Sequence, residues 1–322
     1  MNAVLFLVFN RAETTAQVWE RIREARPPRL YVACDGPRAD RPDEPARVQA
    51  VRAITESDID WPCSVKRLYR DHNLGCRKAV SGALDWFFAQ EEMGVVLEDD
   101  CLPSPDFFRF SAELLERYRN DDRIFMISGN NFQRGRRQTE YSYYYSWYTH
   151  IWGWASWRRS WQKVDLEMKQ YPEFLRQGGA RKVVKHADEA RRWEKTFARY
   201  LEGRYNTWDY PLLFASWWHR QVTILPEVNL VTNIGAGAGV DQTHRFDPSV
   251  EALFHIPTQP LGELRHNPEV RVSHEADYHT FSHHIYPSWH RKLRARIRNW
   301  WRKKGNLFLV ATWMLGENVI TL

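Results

Sequence analysis

Strand-type and helix-type segments alternate along the first 131 residues, and that order leaves few folds open. AVLFLVF (3–9) reads as a buried strand. ETTAQVWERIREA (13–25) puts Val18, Ile22 and Ala25 on one helical face and stops at Pro27 and Pro28. RLYVACDG (29–36) is a second strand, ending in Asp35 and Gly36, and PARVQAVRAIT (45–55) a second helix. SVKRLY (64–69), the helix CRKAVSGALDWFFAQ (76–90) and the strand GVVLEDD (94–100) continue the pattern. A helix over 105–118 and a strand at RIFMISGNN (123–131) complete it. Such a chain builds an α/β domain, a mostly parallel sheet flanked by helices. Ligands of such sheets sit beyond the carboxyl ends of the strands. Asn10 and Arg11, Asp35, and Glu98 to Asp100 all follow strands, so one crevice can collect them.

The last of these positions is electrostatically odd. A buried strand runs into three consecutive carboxylates, Glu98, Asp99 and Asp100. Like charges repel, and the end of a core strand is partly desolvated. Either something positive meets them or they form a solvated acidic turn. Adjacent carboxylates at a strand end suit a hard divalent cation, Mn²⁺ or Mg²⁺, held by one or two carboxylates and by substrate phosphates.

The segment VVLEDDCLPSPDFFRF (95–110) resembles the metal-binding segment of GT-A-fold (Rossmann-like) glycosyltransferases, above all N-acetylglucosaminyltransferase I and its relatives. RYRNDDRIFMISGNN (117–131) resembles the next strand and turn of that group, and the likeness runs in order over about residues 3 to 135. WGWASW (152–157) is similar to bacterial family-2-like transferases of surface-polysaccharide loci. The resemblance implies a metal-dependent, inverting transferase of the hexosyl or N-acetylhexosaminyl type. It would move a sugar from a nucleotide-diphospho-sugar, UDP favoured, to a glycan or lipid-linked acceptor. It implies Arg11 at the diphosphate, Asp35 at the base, Arg77 or Lys78 lining the nucleotide pocket, Glu98 and Asp99 at the donor with Asp99 facing the ribose, and Asp100 as metal ligand.

An inverting transfer needs a base for the acceptor hydroxyl. The resemblance puts it in a Trp-Asp context, which NTWDYPLLF (206–214) supplies as Asp209. Asp209 also reads as the N-cap of a helix over 210–218, with Pro211 near its start. The two roles are compatible; Asp165 and Glu167 are rival bases. NIGAGAGVDQTHRF (233–246) has glycine at 235, 237 and 239 and reads as a loop closing over the diphosphate, with His244 near the metal. Trp147, Trp152, Trp154, Trp157 and Trp161 crowd one segment. With Gly153 and Ser156 between rings and Arg158 and Arg159 after them, they read as an exposed aromatic wall for the acceptor.

Charge excludes a general nucleic-acid surface. Of the net +6, eight positives lie between Arg291 and Lys304 with no acid among them, and the rest has 38 basic against 40 acidic residues. Leu293, Ile297, Trp300 and Trp301 give this tail an apolar side, which suits docking on an anionic membrane; a basic helix packed on the body is the plainer reading. Cys34, Cys63, Cys76 and Cys101 form no C-x-x-C pair, and the first apolar run is too short for a signal peptide or a span. These features fit a cytoplasmic enzyme, peripheral on the inner face of the membrane. The organisation expected is a nucleotide-sugar half (1–135), an acceptor half of the same domain (136–285) and a basic tail (286–322). Two rivals stand. A sugar-phosphate nucleotidyltransferase needs a Gly-rich loop after the first strand, and FNRAETT has none. A carbohydrate-binding protein on an inactive transferase fold has less need of an intact acidic triplet.

Overall fold

A computed structural model describes residues 2–235 and 255–286. His244 and the tail beyond Tyr286 lie outside the described residues. The chain runs β1 (Ala3–Val8), α1 (Ala12–Ala25), β2 (Arg29–Cys34), α2 (Glu44–Glu56), β3 (Ser64–Tyr69), α3 (Gly75–Gln90), β4 (Met93–Glu98), β5 (Cys101–Pro103), α4 (Pro105–Arg117) and β6 (Ile124–Ser128). There follow β7 (Tyr143–Ser146), β8 (Trp154–Trp157), α5 (Arg158–Trp161), α6 (Tyr171–Arg176), α7 (Ala187–Leu201), α8 (Asp209–Trp218), β9 (Val222–Pro226), β10 (Val231–Asn233) and α9 (His274–Thr280).

Eight strands form one sheet in the order β3-β2-β1-β4-β8-β6-β9-β7. Pairing is parallel from β3 through β4 and between β6 and β9; β8 and β7 run against their neighbours. Both halves of the chain contribute, since β8 inserts between β4 and β6. Alternation along each strand feeds two cores. In β1, Val4, Phe6 and Val8 join α1, α2 and α4, whereas Ala3, Leu5 and Leu7 join α3 and α8. A third, aromatic core gathers α6, α7 and α8 around Tyr148, Trp193, Phe197 and Trp217. Among the described residues no helix is long and apolar enough to cross a membrane.

The expected aromatic wall is corrected here. Trp154 and Trp157 are each 1% exposed, because WASW is the central strand β8 rather than a surface loop. Alternation sends the two rings to opposite faces. Trp154 stacks on Trp208 with ring centroids 5.8 Å apart, and Trp157 donates its indole N–H to the Leu115 carbonyl at 3.2 Å. Arg159 covers the Trp157 ring at 4.4 Å. Trp154→Ala therefore lowers stability by about 3–5 kcal/mol in a denaturant titration, the usual cost of truncating a buried Trp.

Two buried acids tie the second half together. Asp277 on α9 accepts from the Ser146 hydroxyl at 2.5 Å and the Trp147 N–H at 3.0 Å. Glu189 on α7 accepts from the Tyr148 hydroxyl at 2.5 Å. Burial pushes both carboxyls up to about 7 against their hydrogen bonds. The unfolded chain releases these protons near pH 4, so between about pH 4 and 7 the native state binds more protons and stability falls as pH rises. The melting temperature should decline from pH 5 to 7 for this reason, and Asp277→Asn should flatten that slope in a calorimetric series.

Candidate active site

Three neighbouring parallel strands, β2, β1 and β4, end at one edge of the sheet. Their first loop residues carry the charged groups that the sequence singled out. Strands lie about 4.8 Å apart, so side chains from adjacent strand ends reach one another. Arg11, at the start of α1, crosses to β4. Its Nη1 lies 2.8 Å from Asp100 Oδ2 and its Nη2 3.4 Å from Asp99 Oδ1. Asp99 also accepts from the Phe9 N–H at 3.3 Å. This guanidinium is the positive group that the acidic strand end requires. Burial works against the Arg11 charge, but Asp99 and Asp100 outweigh it and raise its pKa. Burial, then Asp100 and Asp99, push the Glu98 carboxyl well above the usual carboxylate range.

The turn after β2 is locked in place. Asp35 accepts from the N–H groups of Gly36 at 3.0 Å, Leu74 at 3.1 Å and Gly75 at 3.2 Å. It thereby closes the start of α3. A Cβ on Gly36 would lie 2.4 Å from the His72 backbone, so only glycine permits this approach. The fully buried Glu44 joins the first two turns: it accepts from Asn10 Nδ2 at 2.8 Å and from the Arg38 N–H at 2.6 Å.

A small ribbon forms the opposite wall. β5, directly after Asp100, pairs antiparallel with β10, Asn233 opposite Cys101. Asn130, just after β6, holds β10 through the Val231 carbonyl at 3.3 Å and accepts from the Trp152 N–H at 2.9 Å. The ribbon delivers Gly235 onto the carboxylate: a Cβ there would lie 2.4 Å from Asp100 Oδ2 and 2.8 Å from Arg11 Nη1. Both atoms end flexible side chains, so Gly235→Ala displaces the pair rather than the fold. It should leave the melting temperature within a few degrees of wild type and reduce turnover at least tenfold, measured side by side.

Asp209 opens α8 and accepts from the Thr207 hydroxyl. The preceding Asn206 packs over the start of α3, its Nδ2 3.0 Å from where a Gly75 Cβ would sit. Asp209 also helps to raise Glu98, so the two carboxyls lie close enough to feel each other although about 110 residues separate them.

The remaining candidates are engaged with other groups or exposed. Arg77 is held by the Leu166 carbonyl at 2.9 Å and Glu167 at 2.6 Å, over the Tyr200 ring. Lys78 is exposed on α3. Neither has an ion pair with Asp99 or Asp100 among the described residues. Glu167, a rival base, is thus engaged, and Asp165 caps a turn through the N–H groups of Glu167 at 3.0 Å and Lys169 at 2.9 Å. Sequence reasoning missed Asn130, Asn233 and Glu44. The polar run SGNN directly after an apolar strand was the signal for the first.

Among the described residues no three His, Cys, Asp or Glu side chains are grouped to enclose a metal ion. The donor set still fits Mg²⁺ or Mn²⁺, which commonly take one or two carboxylates and complete their shell with water and phosphate oxygens. Asp100 offers one such ligand at the rim.

No protein-family model matches this chain, and no curated protein does. Three solved structures are similar in part. HddC from Yersinia pseudotuberculosis is 11% identical, over 49% of this chain and 78% of its own, with a TM-score of 0.30. The 1–349 segment of TarS from S. aureus is 14% identical, over 52% of this chain and 50% of its own, with a TM-score of 0.35. CMP:2-keto-3-deoxy-manno-octonic acid synthetase, complexed with CTP, is 15% identical, over 55% of this chain and 84% of its own, with a TM-score of 0.31. These are low-scoring likenesses of fold, and no residue role follows from them.

Proposed function

We propose that the protein is a metal-dependent, inverting glycosyltransferase that uses a nucleotide-diphospho-sugar, UDP-linked by preference. The observation that carries this reading is the convergence of Arg11, Asp99 and Asp100 at adjacent parallel strand ends, and it is supported by the electrostatic influence of Asp209 on Glu98. Arg11 suits the diphosphate, since a guanidinium fork matches phosphate oxygens. Asp99, whose oxygens are held by the Phe9 N–H and by Arg11 in the ligand-free protein, would accept from a ribose hydroxyl once Arg11 turns to the phosphates. Asp100 would hold the cation, which when bound neutralises a diphosphate leaving group. Asp209 would take the acceptor hydroxyl's proton from the other face. Asp35 contributes by fixing the turn that faces the base, because its two oxygens already serve three backbone N–H groups.

The acceptor assigned is a glycan or lipid-linked sugar of surface-polysaccharide synthesis, reached at an anionic membrane through the basic tail. Each Lys or Arg near an anionic leaflet contributes about 1 kcal/mol. Liposome co-sedimentation tests the tail: full-length protein should pellet with anionic vesicles at low salt, and a chain ending at Pro287 should not. The catalytic reading is tested by screening nucleotide-sugars for Mn²⁺-dependent hydrolysis, which needs no acceptor. One donor should be hydrolysed with Mn²⁺ and spared with chelator. Hydrolysis unaffected by chelator would remove the metal, and no hydrolysis or binding of any donor would remove the transferase reading.

A further inference from the structure

One Asp100 oxygen, Oδ2, is already taken. Arg11 Nη1 lies 2.8 Å from Oδ2, and Gly235 closes another side so tightly that even a methyl group would collide there. The second oxygen, Oδ1, faces the Cys101 thiol at 3.4 Å. A Mg²⁺ ion coordinates oxygen at about 2.1 Å. On Oδ2 it would stand within a few ångströms of a guanidinium bonded to the same atom, and two like charges there repel strongly. Arg11 is not trapped, however. Its side chain is one-third exposed and, among the described residues, is held by the two carboxylates alone, while its backbone carbonyl anchors Thr14, Thr15 and the first helical turn.

We infer that Arg11 and a divalent cation are alternative partners of the same Asp100 oxygen, and that the cation gains full access when a diphosphate draws Arg11 away. The inference rests on the diphosphate-and-cation reading above. In the ligand-free protein Arg11 is a tethered counter-charge, which keeps an acidic strand end folded without metal. A diphosphate offers the guanidinium two oxygens at once, a better match than one oxygen from each of two carboxylates. Its departure exposes Asp100 as the phosphates arrive to complete the cation's shell. Cation and diphosphate then strengthen each other's binding by one common factor, as linkage requires. The site also resists stray divalent ions when no donor is present.

The test is calorimetric titration of Mn²⁺ into the full chain, alone and with saturating UDP, for wild type, Arg11→Met, Arg11→Gln and Arg11→Lys. Wild type should bind Mn²⁺ at least tenfold more tightly with UDP than without. The two neutral variants should bind Mn²⁺ without UDP at least tenfold more tightly than wild type does, and UDP should add little. Arg11→Lys, which keeps the charge, should stay weak alone. The neutral variants lose the counter-charge of an acidic cluster, so Mn²⁺ without UDP should raise their melting temperatures more than it raises that of wild type. If wild type binds Mn²⁺ with UDP but the neutral variants bind it no better alone and gain no thermal protection, the alternative-partner inference is wrong and the metal reading stands. If no protein binds Mn²⁺ with or without UDP, both fall.

Discussion

Asp100→Asn should remove the proposed sugar transfer to below detection and leave the protein folded. The exchange keeps the side chain's shape and replaces one charged oxygen by an amide. Arg11 retains Asp99, 3.4 Å away, and Gly235 still has room against an isosteric group. One of three crowded acids loses its charge, so the stability change should stay within about 1 kcal/mol. The function lost would be specific, because an amide is a poor partner for Mg²⁺ or Mn²⁺. Turnover at saturating donor with increasing Mn²⁺, beside a melting curve, separates the two effects. Wild-type turnover at limiting Mn²⁺ would show that Asp100 is not the ligand.

The second large effect falls on Asp209. Asp209→Asn should lower turnover by about 10²–10⁴-fold while UDP and Mn²⁺ binding persist, because losing a general base typically costs that much. The N-cap of α8 is Trp208 and no side chain caps it, so Asp209 is the first helical residue rather than the cap, and losing its charge there should cost no more than about 1 kcal/mol of stability. Asp165→Asn should behave differently. That carboxylate is spent on two backbone N–H groups of a turn, so its loss reads as a lower melting temperature with nearly normal turnover per folded molecule. The opposite ranking would move the base to Asp165. A melting effect at Asp209 without loss of turnover would leave it a helix residue only.

The legible parts of this molecule were those written in local pattern. Period-two and period-3.6 runs marked β1 to β4 and α1 to α4 because each element buries one face against the same sheet. The acidic triplet announced a site because its cost had to be met by something, and Arg11 meets it. What local pattern could not convey was which chain segments meet. β7 and β8 are aromatic strands that join the sheet out of order, so WASW looked like a ring-lined surface when it is central core. Arg77 is assigned to the nucleotide pocket by resemblance alone, in the helix after DHNLG. Which way it faces depends on the Leu166–Glu167 turn, about 90 residues away. Gly235 stood out only as one glycine among several, and its contact with Asp100 exists because β10 pairs with β5. Asp35 was visible as a strand-end acid, but its three N–H partners come from a turn at its own Gly36 and from the start of α3.

The most direct measurement is a crystal structure of the full chain with UDP and Mn²⁺, with anomalous diffraction used to locate the metal. The account predicts one anomalous peak within about 2.5 Å of an Asp100 carboxylate oxygen, bridged to the diphosphate, with Arg11 turned from Asp100 onto the phosphates. A nucleotide bound elsewhere, or a diphosphate in the crevice with no anomalous density at Asp100, would contradict it.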